Sequence, residues 1–201
     1  MVRMARQPTE SRQVEIISTM VRLAAERNPA DITTTDIANA MAVTQGALFR
    51  HFPTKEAIRL AVVEWIEERL MQEIDAARAA SIDALAELKG MFMAHVRFTI
   101  AYPGVPRLIF AELQQPDGSA VRERVQLIMQ RYRKTLAISL AQAMEAKLIR
   151  PNVDVQAAAA LFLGAIQGLV MQSMLSGPMA KAEHQAAGVL KLYLAGLGVE
   201  S

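Results

Sequence analysis

Apolar residues in this chain return every three or four positions, and they scarcely alternate with polar ones. That return suits a helix of about 3.6 residues per turn, not a strand, whose side chains change face at every residue. Val, Ile and Thr build no regular alternating runs, and Ala, Leu and Met, which favour helices, dominate the apolar content. Breakers cut the pattern at Asn28-Pro29, Pro53-Thr54, Tyr102-Pro103-Gly104, Gln115-Pro116-Asp117-Gly118, Arg150-Pro151-Asn152 and Gly177-Pro178. Between them the spacing predicts helices over 9–27, from Thr33 to a turn at Ala42-Val43, over 45–51, from Lys55 past Ile74, and over 82–101, 105–114, 119–148, 155–175 and 180–197. The chain is therefore expected to be all-α, with about nine helices, no strands and short linkers.

Composition narrows the function. Of 201 residues, 52% are hydrophobic and 21% charged, enough apolar material for a real core. A net charge of +2 permits nucleic-acid binding without requiring it. With no cysteine, disulfides, thiol catalysis and cysteine metal sites are excluded. The histidines His51, His95 and His184 are scattered, and no zinc-protease motif, nucleophile elbow, P-loop or dinucleotide fingerprint is present. Neither an enzyme nor a metal or cofactor site is expected. The opening MVRMARQPTESRQ is polar, so no secretory signal is expected either. Val155–Leu175 has the length of a bilayer span, but Gln156, Gln167, Gln172 and a run of alanines weaken it, and no aromatic belt frames it. It reads as a helix covered on both sides in a cytoplasmic protein with no membrane partner.

The stretch from Ile32 to Ala57 carries most of the functional information. Thr33 followed three residues later by Asp36 forms a capping pair that starts the second helix. Ile37, Ala38 and Met41 form its buried side, Ala42-Val43 turns the chain, and Thr44 caps a short third helix anchored by Leu48 and Phe52. Two helices joined by such a turn, the second short and polar-faced, make a helix-turn-helix. The segment TTTDIANAMAVTQGALFRHFPTKEAI resembles the DNA-binding segment of the tetracycline-repressor (TetR) family of bacterial regulators. That family's pattern is roughly T-x-x-[DE]-I-A-x-x-A-G-V-S-x-G-[TA]-L-Y-x-[HY]-F-x-[ST]-K-E-x-L. It is met by Thr33, Asp36, Ile37, Ala38, Val43, Thr44, Gly46, Ala47, Leu48, His51, Phe52, Thr54, Lys55 and Glu56. Two positions depart from it. Ala42 stands where Gly is usual, which costs about 1 kcal/mol if the turn needs a positive φ. Phe49 stands where a Tyr commonly reaches phosphate, leaving a ring for sugar or a thymine methyl.

Contacts follow from residue chemistry. The third helix is too short to build a core, so Thr44, Gln45, Ala47 and Arg50 are free to enter a major groove about 12 Å wide, with Gly46 allowing close approach. Gln45 matches adenine N6/N7, and Arg50 matches guanine O6/N7 or a phosphate. Thr33 and Thr34 at one helix start, and Thr54 and Lys55 at another, read as phosphate clamps on free N–H groups. His51 is a further phosphate candidate, and Arg3 and Arg6 could form an arm.

The division expected is a helix-turn-helix head over 1–54 and a body over 55–201. The resemblance implies that helices five to seven of the body enclose an effector pocket and that helices eight and nine pair with a second copy. Pocket candidates are Phe92, His95, Phe98, Tyr102, Phe110, Met129, Tyr132, Phe162 and Gln167, with Glu112 as a further polar option. Dimer candidates are Leu161, Gly164, Gly168 and Met171 on one helix and Leu190, Tyr193, Leu194 and Leu197 on the next. The function expected is a homodimeric regulator, a repressor of a palindromic operator on double-stranded DNA, released by a small, mostly apolar effector. The alternative is a nucleoid-associated adaptor of the same fold that acts through protein contacts.

Overall fold

The computed structural model describes residues 9–176 and 180–199. The Arg3/Arg6 arm and the Gly177-Pro178 break lie outside them. Among the described residues the elements are α1 (Thr9–Glu26), a 3-10 turn (Pro29–Asp31), α2 (Thr34–Ala40), α3 (Gln45–Phe49), α4 (Lys55–Ala79), α5 (Ala84–Ala101), α6 (Gly104–Leu113), α7 (Ala120–Glu145), α8 (Val155–Ser176) and α9 (Ala180–Gly196). No strand is present among them, and the all-α expectation holds.

Local chemistry moves several helix ends from their predicted places. Helix α5 starts after Asp83, whose Oδ1 accepts from Ala86 N at 2.7 Å, so Ile82 stays outside and almost fully exposed. Helix α7 ends before Leu148 because Lys147 turns left-handed at φ 58, and Leu148 N closes onto Ala143 O at 2.9 Å. Asn28 does not close α1 with a left-handed turn. Its φ is −63, and its side chain instead accepts from Ala30 N and caps the 3-10 turn.

The chain divides into two compact units. The first holds residues 9–66 and 102–125, so α6 belongs with the helix-turn-helix, and Thr54 ends the reading segment without ending a unit. Its core takes Ile16, Met20 and Ala24 from α1, Ile37 from α2, Leu48 from α3, Ile58 and Val62 from α4, and Leu108 from α6. Helix α6 lies directly on α1: a Cβ added at Gly104 would stand 2.0 Å from Val21 O, so only glycine fits there. Arg59 of α4 grips Glu112 of α6 in a bidentate pair through one edge of its guanidinium, Nε donating to Oε1 at 2.7 Å and Nη2 to Oε2. The Glu112 side chain is only 5% exposed, and its bonds hold the Arg59 guanidinium further up in pKa.

The second unit holds residues 67–101 and 126–199, with α5, α8 and α9 packed on one another. Rings from four helices meet in it. Phe162 stands edge-on to Phe92 at 5.3 Å, to Tyr132 at 6.4 Å and to Tyr193 at 5.5 Å between centroids. All four are buried.

Candidate nucleic-acid interface

The reading segment is fixed by caps. Thr33 Oγ1 accepts from Asp36 N at 3.1 Å, and Asp36 Oδ2 accepts from Thr33 N at 2.8 Å and from Thr33 Oγ1 at 2.6 Å. The capping box is thus complete. These bonds, with Arg27 Nη1 at 3.1 Å as a weaker contribution, hold the Asp36 carboxyl below its ordinary pKa. The turn runs through Ala42 at φ 53, the left-handed conformation a glycine would adopt freely. Val43 N then bonds back to Ala38 O at 3.0 Å. Thr44 Oγ1 accepts from Ala47 N at 3.1 Å and starts α3.

Helix α3 is shorter than the spacing predicted. It stops at Phe49, because Arg50 caps it and both His51 N and Phe52 N bond back to Leu48 O. Leu48 and Phe52 are buried and pin it down. Thr44, Gln45, Gly46, Phe49 and Arg50 are therefore exposed together, and Ala47 is half-buried. Gly46 has open space where a Cβ would stand.

The predicted phosphate contacts are placed less uniformly. Thr33 is exposed, but its hydroxyl is engaged with Asp36. Thr34 is 8% exposed, and its Oγ1 accepts from Gln45 Nε2 at 2.6 Å. Lys55 is half-buried with Nζ turned back toward Ala30 O at 3.4 Å, while Thr54 caps α4 by accepting from Ala57 N at 3.0 Å. His51 is half-buried; its Nδ1 is sealed without a partner, and its carbonyl accepts from Gln13 Nε2 at 3.4 Å. Sequence reasoning missed Gln13, Arg27 and Arg59, whose partners lie beyond the one-turn spacing that periodicity exposes.

The pocket candidates separate. Phe92, His95, Phe98, Met129, Tyr132, Phe162 and Gln167 belong to the second unit, whereas Tyr102 and Phe110 belong to the first, where Tyr102 stands edge-on to Trp65 at 5.1 Å. Phe92, Phe98, Tyr132 and Phe162 are buried and Met129 is half-buried. Gln167 is exposed on α8 and does not face the interior, a correction to its assignment. His95 lies 5.4 Å from Tyr132 between ring centroids. Its Nδ1 and the Tyr132 hydroxyl are both buried without a hydrogen-bond partner. Burial pushes the His95 pKa down to about 4 and the Tyr132 pKa upward, so both rings are neutral near pH 7.

The dimer candidates divide by helix. On α8, Leu161 (60% exposed), Gly164, Gly168 and Met171 face outward. On α9, Leu190, Tyr193, Leu194 and Leu197 face inward and are buried within the unit, with Tyr193 Oη donating to Ala158 O at 3.1 Å. That is a correction: the apolar stripe on α9 is its core side. Its outer side carries Gln185, Gly188, Lys191, Leu192 (75% exposed) and Ala195. These residues and Ala165, Gly168 and Gln172 of α8 line an apolar groove of about 800 Å³. Helix α8 is long and apolar enough to cross a membrane by length and composition, and less than half of it is buried.

A short, buried-anchor helix presenting Gln45 and Arg50 behind a capped turn defines a helix-turn-helix DNA-binding protein. The family model described as bacterial regulatory proteins, tetR family, matches residues 16–62, and the tetracyclin repressor-like C-terminal domain matches residues 110–189. The chain belongs to the TetR family of DNA-binding transcriptional regulators. It is 26% identical over 163 residues to the nucleoid occlusion factor SlmA of Vibrio cholerae, covering 79% of this chain and 81% of that one. Its fold matches that of the ketosteroid transcriptional regulator KstR2 of Mycobacterium tuberculosis with a TM-score of 0.80 at 22% identity, over 99% of this chain and all of that one. It also matches the regulator FadR of Bacillus subtilis in complex with stearoyl-CoA, TM-score 0.76 at 18% identity, over 91% and 98% of the two chains.

Proposed function

We propose that the protein is a homodimeric repressor whose two α3 helices read the halves of a palindromic operator, and that a small, mostly apolar effector releases it. The observation that carries this reading is the exposed face of α3, where Gln45 and Arg50 stand beyond the buried anchors Leu48 and Phe52. Gln45 reads adenine, Arg50 reads guanine or holds phosphate, and the N–H groups opening α2 and α4 hold the backbone. Thr44, Gly46, Ala47 and Phe49 complete the contact surface, with His51 and Lys55 at its edge.

The ring cluster of the second unit supports an apolar effector. The His95 Nδ1 and the Tyr132 hydroxyl, buried without partners, would meet a polar group on it. The neighbours KstR2, a ketosteroid regulator, and FadR, in complex with stearoyl-CoA, both point to compounds with a large apolar part, the steroid rings in one case and the acyl chain in the other. The Arg59–Glu112 pair would pass a shift of α6 to α4 within the first unit. A second copy seated on the outer face of α8 and α9 would cover their exposed apolar groove. Such cover accounts for an apolar α8 in a protein that works where the DNA is.

One second reading draws on the SlmA relative, a nucleoid occlusion factor, and makes this chain an adaptor acting through protein contacts. Selection of bound duplexes from a random pool, followed by a compound screen for release, separates the two. A palindromic site released by an apolar compound is expected. Tight binding that no compound in an acyl-CoA and sterol set weakens favours the adaptor, and failure to enrich any sequence overturns the repressor reading.

A further inference from the structure

Two residues that open successive helices meet across the turn of the helix-turn-helix. Thr34 is the first residue of α2 and Gln45 the first of α3. Thr34 is buried and Gln45 is exposed, yet the Gln45 Nε2 donates to Thr34 Oγ1 at 2.6 Å. A glutamine on a surface loses rotamer freedom whenever it must hold one orientation, and that loss counts against any contact it makes. A β-branched threonine rooted in a buried helix start is a stiff anchor for it. The bond uses one amide hydrogen. The other hydrogen and Oε1 remain, and together they are the donor–acceptor pair that matches adenine N7 and N6.

We propose that Thr34 is a positioning residue for sequence reading: it holds the Gln45 amide in the orientation that meets a base edge, and does not grip phosphate. This rests on Gln45 being a base reader. With its side chain buried and its hydroxyl occupied, Thr34 offers little to a phosphate oxygen. The two helices of the motif are thereby coupled, the start of α2 setting the direction of the side chain that opens α3.

The test uses the full chain and variants Thr34→Val, Thr34→Ser, Gln45→Ala and the double variant Thr34→Val/Gln45→Ala. Each is titrated by fluorescence anisotropy at one salt concentration against the selected duplex, duplexes changed at each half-site position, and a random duplex. Melting midpoints establish that each variant is folded. Gln45→Ala should lose discrimination at one position per half-site. Thr34→Val should lose about three- to tenfold of discrimination at that same position, with random-duplex affinity unchanged. Thr34→Ser keeps the hydroxyl and should keep the discrimination, and the double variant should discriminate no worse than Gln45→Ala. Equal weakening of every duplex by Thr34→Val would make Thr34 a phosphate contact. Tighter specific binding by Thr34→Val would mean that its bond competes with reading, and no change would mean that the bond is idle; each overturns the proposal. If Gln45→Ala shifts no base preference, the base-reader assignment itself fails and takes the proposal with it.

Discussion

The reading segment and the interior of the second unit are held together by opposite means. Around the turn the fixed contacts are polar and close in sequence: Thr33 with Asp36, Thr44 with Ala47, Thr54 with Ala57, and at longest range Thr34 with Gln45. In the second unit they are aromatic and distant in sequence, with Phe92 of α5, Tyr132 of α7, Phe162 of α8 and Tyr193 of α9 gathered edge to face. Caps fix a backbone while leaving side chains outside, which suits a surface that must present Gln45 and Arg50 in register. A ring cluster hides its side chains, so it can only recognise what enters it. On the proposed reading the two units serve different kinds of partner, a rigid polymer outside and a small molecule inside.

Several substitutions break or sharpen that contrast. The largest effect belongs to the rings: Phe162→Ala empties the point where Phe92, Tyr132 and Tyr193 converge and should cost about 3–5 kcal/mol by denaturant titration. A loss under about 1 kcal/mol would mean that the cluster is not the structural centre of its unit. Next is the exception to the contrast, the long-range polar pair in the first unit. Arg59→Met strands the buried Glu112 carboxylate and should cost about 3 kcal/mol, most of it recovered when Glu112→Gln is added. Additive losses in that double-mutant cycle would deny the pair any coupling. Smaller still is Ala42→Gly, which removes left-handed strain and should raise stability by about 1 kcal/mol, seen as a melting rise of roughly 2–4 °C.

A further effect is one of pH. The folded His95 pKa, about 4, lies below its ordinary value of 6.5, so protonation favours unfolding. Its contribution is whole above pH 6.5 and is lost as pH falls toward 4. The variant His95→Phe should flatten the stability curve across that window in denaturant titrations at successive pH values. The lowered Asp36 carboxyl acts in the same direction at lower pH, its capping contribution fading as the carboxylate takes up a proton.

What was legible in the sequence follows the same division. The capping box of Thr33 and Asp36, the Thr44 cap and the strained Ala42 could all be read, because each depends on residues within one turn of helix. The burial stripes of α1, α4 and α7 could also be read, since periodicity fixes which face is apolar. Periodicity does not say what covers that face. The apolar side of α9 therefore looked like a dimer surface, although Leu190, Tyr193, Leu194 and Leu197 lie against their own unit. Gln167 likewise looked inward because its neighbours on α8 are apolar. The Gln45–Thr34 bond is not legible for a third reason: a side-chain pair eleven residues apart across a turn has no periodic signature.

In the proposed dimer, two copies of α3 read the two halves of one site. Hydroxyl-radical footprinting of the full protein on its selected duplex tests it most directly. Two protected patches related by a dyad are expected, their centres roughly 34–36 Å or a multiple apart along the duplex. A single patch without dyad symmetry, or protection unchanged in position on a random duplex, would contradict it.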